Sequence, residues 1–285
     1  SIENIILLEE KLRNSKSVSK QFRNRLLVYI DDLVQDVINE YLSGAEAELE
    51  RRRYYNSRNN SYDVYPKMLA LALKLTDIEN PLYKNLLIKK YYTQGVAYRL
   101  KIPLYRNSEW LIDSSLQQQL QALKLEENAA YINNDLGLLY QDKGNYKKAE
   151  EFYLKATMIS PMWALPWANL IQLYTSTKQF NKAKEAYQVA VELQPGFQNN
   201  YVGAGMLNEE LNQWLTAEEL YRKSIQLNSR HYMPFERLAY TYMKTTHYAK
   251  ADSFFFEADI RKRGYFFRDS YVLAPKLVVL PPQIP

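Results

Sequence analysis

The sequence contains no cysteine, which excludes disulfide staples, thiolate nucleophiles and every zinc site built on Cys. Glycine and proline are scarce, 8 and 11 in 285 residues; a many-turned β protein needs more of both, and so does a disordered chain. Histidine occurs twice, at His231 and His247, with no Asp, Glu or second His at ligand spacing around either. A zinc site needs three or four convergent donors, so both are read as surface or junction residues. No apolar run approaches the roughly 18 to 20 residues that cross a bilayer; Ile5 to Leu8 and Val278 to Leu280 are fragments, and no membrane span is expected. The chain opens at Ser1 and is read as a piece of a longer or processed polypeptide, with its first residues already helical.

What is present suits long helices. Hydrophobic residues make up 47% of the chain, enough for a substantial core. The net charge of +5, from 37 basic and 32 acidic residues, is too mild for a dedicated nucleic-acid binder, and no nucleic-acid partner is expected. Neighbouring acids such as Asp31 and Asp32, or Glu209 and Glu210, leave a helix on different sides and are read as solvated faces, not acid/base pairs. The basic runs Arg51 to Arg53 and Arg261 to Arg263 are short and read as solvated helix ends. No Gly-rich phosphate loop occurs; Gly203 and Gly205 fall inside a helical stretch, where close packing accounts for at least the second. No catalytic residue, metal or cofactor is expected.

The strongest signal is self-similarity with a period of 34 residues. Between Ala130 and Lys143, Asn133, Leu136, Gly137 and Tyr140 fall at i, i+3, i+4 and i+7, one face of a helix. A second helix from about Tyr146 to Ile159 carries Ala149, Tyr153 and Ala156 on one stripe. One period on stand Trp167, Leu170, Ile171 and Tyr174, then Ala183, Tyr187 and Ala190. The third unit has Tyr201, Ala204, Gly205 and Asn208, then Ala217, Tyr221 and Ser224; the fourth has Phe235, Leu238, Ala239 and Tyr242, then Ala251, Phe255 and Ala258. Small residues let the two helices of each unit approach, and aromatics fill the remaining volume.

These residues resemble the tetratricopeptide repeat, whose pattern asks for a bulky residue, Leu, Gly, Tyr, then Ala, an aromatic, Ala and Pro at those places. The resemblance implies an all-α fold, a right-handed α-solenoid of helix-turn-helix units, here with an N-terminal helical cap. Departures are Asn208 for the Tyr, Ser229 and Arg263 for the terminal Pro found at Pro161 and Pro195, and Lys178, Asn212 and Thr246 where the first unit has the turn glycine Gly144. Lys and Thr tolerate a left-handed turn poorly, so the geometry of those two turns is open.

The chain divides on this reading into an N-terminal helical capping region over 1–80, a degenerate unit with a loop insert over 81–129, four units over 130–163, 164–197, 198–231 and 232–265, and an extended tail over 266–285. In the capping region Phe22, Leu26, Ile30, Leu33, Val37 and Tyr41 form a stripe, a loop runs from Tyr54 to Tyr65, and a helix follows Pro66. In the degenerate unit Tyr91, Gln94, Gly95 and Tyr98 oppose Ser115, Gln119 and Ala122. Its insert, near Lys101 to Asp113, carries Tyr105, Arg106 and Trp110; the expectation is that both rings fold back on neighbouring helices, the alternative being an exposed binding hot spot.

At 100° per residue, the second, fifth, ninth and twelfth places of each first helix point away from the core stripe and line the inner surface. They are Tyr131, Asn134, Leu138 and Gln141; Leu165, Ala168, Gln172 and Thr175; Asn199, Val202, Met206 and Glu209; Met233, Glu236, Tyr240 and Met243. Amides that pair with backbone, beside adaptable Met, suit an extended or helical peptide. The expected function is a non-catalytic scaffold or adaptor holding a protein or peptide partner on this concave face. The alternatives are a regulatory or scaffolding arm of a larger multidomain enzyme and, more remotely, an RNA-binding helical array. The Lys, Asn and Arg pattern by which related repeats clamp the carboxylates of chaperone tails is matched at one place only, so no such clamp is expected.

Overall fold

A computed structural model of the chain describes residues 20–53 and 61–267. They form thirteen α-helices in chain order: α1 Lys20–Leu42, α2 Glu46–Arg53, α3 Val64–Lys74, α4 Pro81–Lys101, α5 Glu109–Leu125, α6 Ala130–Asp142, α7 Tyr146–Ile159, α8 Ala164–Ser176, α9 Phe180–Leu193, α10 Gln198–Glu210, α11 Trp214–Leu227, α12 Tyr232–Lys244 and α13 Tyr248–Phe267, with short 3₁₀ turns at Ser61–Asp63 and Ile102–Leu104. No strand occurs among the described residues. The fold is an all-α solenoid.

Four helix pairs, α6/α7 to α12/α13, follow the 34-residue register. Each pair turns on a residue with positive φ: Gly144 at 73°, Lys178 at 58°, Asn212 at 57° and Thr246 at 64°. At every turn the same two backbone bonds close the helix, as Asn145 N–H to the Tyr140 carbonyl (2.8 Å) and Gly144 N–H to that of Gln141 (2.9 Å), the Schellman termination. Lys178 and Thr246 thus adopt the left-handed geometry despite their side chains. Gly44, at φ 69°, ends α1 in the same way.

The small residues act as the register requires. A Cβ on Gly137 would stand 2.4 Å from the Tyr153 ring, and one on Gly205 2.3 Å from Tyr221. Both tyrosines are fully buried. Where Ile171 and Ala239 replace the glycine, Tyr187 is only half-buried and Phe255 is exposed, because the aromatic has no hollow to enter. Gly203 is explained as well: a Cβ there would lie 2.9 Å from the Ile171 side chain, so α8 and α10 meet across it.

Ahead of the repeats, α4 and α5 pack as a pair, Gly95 against Gln119 and the Ser115 hydroxyl on the Gly95 carbonyl at 2.7 Å. Asn80 caps α4 by accepting from the Leu82 N–H, with Pro81 in the first position, where its missing donor costs nothing. The insert is shorter than its sequence bounds, since α4 runs to Lys101 and α5 starts at Glu109. Its rings do not fold back: Tyr105 and Trp110 are 52% and 54% exposed and meet only edge to face, centroids 6.2 Å apart. Pro66 lies within the first turn of α3, not before it, a position proline tolerates. The expected loop shrinks accordingly, and its residues 54–60, like the tail beyond 267 and the first 19 residues, lie outside the described residues.

The buried stripe of α1 is Leu27, Ile30, Val34, Val37, Ile38 and Tyr41, rotated from the expected one, with Phe22 exposed. It shares a single core with Tyr92, Tyr131, Trp163, Leu165, Ala168 and Phe197. The N-terminal helices therefore reach past the first unit along the junctions of the later ones. Arg52 corrects the reading of its run as solvated: it is 8% exposed, with its guanidinium 3.3 Å from the Tyr41 ring centroid. It donates to Glu48 (2.7 Å), to Asp135 (3.1 Å) and to the Tyr92 hydroxyl (2.7 Å). Tyr62 also donates to Glu48. Arg51 and Arg53 are likewise paired, with Glu48 and Glu46.

Candidate protein-interaction surface

The inner surface is set by which side chains the chain itself consumes. In the first two units the second and fifth places are closed: Tyr131, Asn134, Leu165 and Ala168 are all buried. Asn134 donates to the Tyr41 hydroxyl at 2.7 Å and accepts from Asn169 at 2.9 Å, while Tyr41 donates to Asp135 at 2.9 Å and meets Trp163 edge-on at 5.1 Å. Asn134 is therefore spent inside the protein. Gln141 is half-buried and accepts from Tyr153, and Thr175 is buried.

Accessibility is greatest in the fourth unit; in the third, Val202 is buried at 1% exposure. Leu138, Gln172, Asn199 and Met206 are partly exposed, Met233 and Glu236 likewise, and Tyr240 and Met243 reach 37% and 46%. Glu209 is not available, and its reading as a solvated face gives way. It is buried, paired with Arg237 and accepting from Thr241 at 3.0 Å, which ties α10 to α12. Burial pushes its carboxyl above the usual carboxylate range, with Arg237 and the Thr241 hydroxyl acting against it. Glu236 pairs with Lys262 at 2.6 Å. Tyr240 lies between two cations, Arg237 at 5.5 Å and Lys244 at 5.2 Å from its ring centroid, which polarise and orient it.

Of the sixteen residues picked out by register, Gln172, Met206, Met233, Tyr240 and Met243 are among those that stay accessible, along α8, α10 and α12. Arg237 and Lys244 flank them and were missed, because they occupy the sixth and thirteenth places, off the rows that 100° spacing selects. Among the described residues no group of His, Asp or Glu could hold a metal ion, and no helix is long and apolar enough to cross a membrane.

The family described as tetratricopeptide repeat matches residues 130–161 and 167–197. The chain carries tetratricopeptide repeats. Among solved structures, a tetratricopeptide repeat protein from Parabacteroides merdae is similar at 16% identity and a TM-score of 0.53, over 83% of this chain and 88% of that one. PilF of Pseudomonas aeruginosa is similar at 18% identity and a TM-score of 0.51, over 65% and 83%. At such identity the likeness speaks for the fold alone. No curated protein sequence matches the chain. The family match covers the first two full tetratricopeptide units; the third and fourth repeat their helix pairs and turn geometry.

Proposed function

We propose that this tetratricopeptide array is a non-catalytic adaptor that holds a segment of a partner protein against the inner face of its second to fourth units. Tetratricopeptide architecture supports a protein-interaction scaffold in general. The observation that favours this face is accessibility: only in the fourth unit are all four inner places at least partly exposed, at Met233, Glu236, Tyr240 and Met243, with Gln172 and Met206 partly exposed before it. Three of the chain's six methionines stand there. Their unbranched side chains repack around different partners, and a tyrosine supplies a large anchor at low entropic cost.

The test is a selection of peptides from a random display library on the wild-type chain, followed by binding to the triple variant Gln172→Ala, Met206→Glu, Tyr240→Ala. A loss of at least about tenfold, with an unchanged far-ultraviolet circular dichroism spectrum, is expected, since a single hot-spot side chain contributes roughly 2 kcal/mol or more. Undiminished binding by the folded variant would place the partner elsewhere.

A further inference from the structure

The last residue of each of the first three units, just before the next first helix, is a buried ring: Trp163 at 3% exposure, Phe197 at 2% and His231 at 3%. Two of these rings are apolar, and the third is one that can take up a proton. Both nitrogens of His231 are buried without a hydrogen-bond partner, so a proton arriving there finds no acceptor. Tyr232 meets the imidazole edge-on at 5.8 Å, and Lys262 of α13 lies over the Tyr232 ring at 4.6 Å.

From α2 the Arg53 guanidinium disfavours a positive charge on the imidazole. The nearby carboxylates are already engaged. Glu46 holds Arg53 at 3.1 Å and Gln198 at 2.7 Å, while Glu50 faces Arg230 of the preceding turn at 3.9 Å. That last pair is long and its arginine largely exposed, so it contributes little to keeping α2 in place. Between α2 and the unit junctions lies a cleft of about 450 Å³, lined by Glu46, Glu50, Gln194, Phe197, Gln198 and Arg230 among others.

We propose that His231 is a proton-sensitive latch between α2 and the fourth unit: neutral, it seats as a buried ring and α2 closes over the junction; protonated beside Arg53, it releases α2 and widens this cleft. Burial, and then Arg53, hold the imidazole well below the usual histidine value of 6.5. A base depressed in the folded state contributes stability that is present above its unfolded value and is lost as pH falls. The window is therefore the acid side of about 6.5.

Hydrogen exchange of residues 46–53 and 228–236, corrected for intrinsic rates, reads the latch between pH about 7.5 and about 5. In the wild-type chain both segments are expected to exchange at least about tenfold faster at the acid end, the change expected per unit of pKa displacement. In His231→Phe they should not, because Phe197 already fills the equivalent place. Arg53→Gln removes the like charge and should move the midpoint toward neutral pH. With only two histidines in the chain, the imidazole proton resonance that disappears in His231→Phe gives the titration of His231 directly. No acid opening in the wild type, an undiminished opening in His231→Phe, or a midpoint unmoved by Arg53→Gln would overturn the latch; if His231→Phe failed to fold, the Arg53→Gln midpoint would decide.

Discussion

Single residues carry the regularity of the array. Lys178 and Thr246 hold a left-handed conformation that costs an L residue roughly 1–2 kcal/mol, partly offset by the entropy a glycine would lose. Each of Lys178→Gly and Thr246→Gly is accordingly expected to raise stability by about 1 kcal/mol, seen as a higher urea midpoint at unchanged slope. Gly144→Thr should lower it by a similar amount. Gly205→Ala has a different origin and should cost more, about 1–3 kcal/mol, because its methyl would overlap the Tyr221 ring. The 34-residue spacing locates all four turns in the sequence. It does not reveal their torsion angles, since residue preference and register disagree at Lys178 and Thr246, and the two closing backbone bonds decide for register.

Among elements, α2 departs furthest from what its sequence suggests. Its basic run Arg51 to Arg53 reads as a solvated helix end, yet Glu48 and Arg52 are buried. Local composition could not disclose this, because the partners Tyr92 and Asp135 stand 40 and 83 residues away. Arg52→Met would leave Glu48 and Asp135 in a dry interior without their shared cation, and the expected cost is about 3–5 kcal/mol, measured by chemical denaturation. Arg52→Lys should recover only part of it, since an ammonium cannot address Glu48, Asp135 and Tyr92 in the planar fan of a guanidinium. The inner-face residues divide for the same reason. Helical spacing marks which side chains leave the core stripe, and Gln172, Met206 and Tyr240 do stay accessible. It cannot show that α1 will lie against Asn134, because that contact joins residues 93 apart.

The whole molecule is stabilised unevenly. One core joins α1 to α8 through Leu27, Tyr92, Tyr131 and Trp163, whereas the last two units depend on a small cluster of Ala217, Tyr221, Leu238, Tyr242 and Ala251. Repeat arrays are stabilised by each unit and its neighbours, so protection should follow this division. Native-state hydrogen exchange is expected to be slowest in α1, α4 and α6 and fastest in α12 and α13; uniform protection would show the array to open as one body. The end whose inner row is most accessible is thus also the end with the smallest core.

That coincidence bears on how the molecule would carry load. Drawn out from its two termini, the array would yield in instalments, its final hairpin of helices paying out slack while the block around Arg52 kept its shape. A partner held near Tyr240, as proposed above, would then be let go by traction before the block around Arg52 had changed shape.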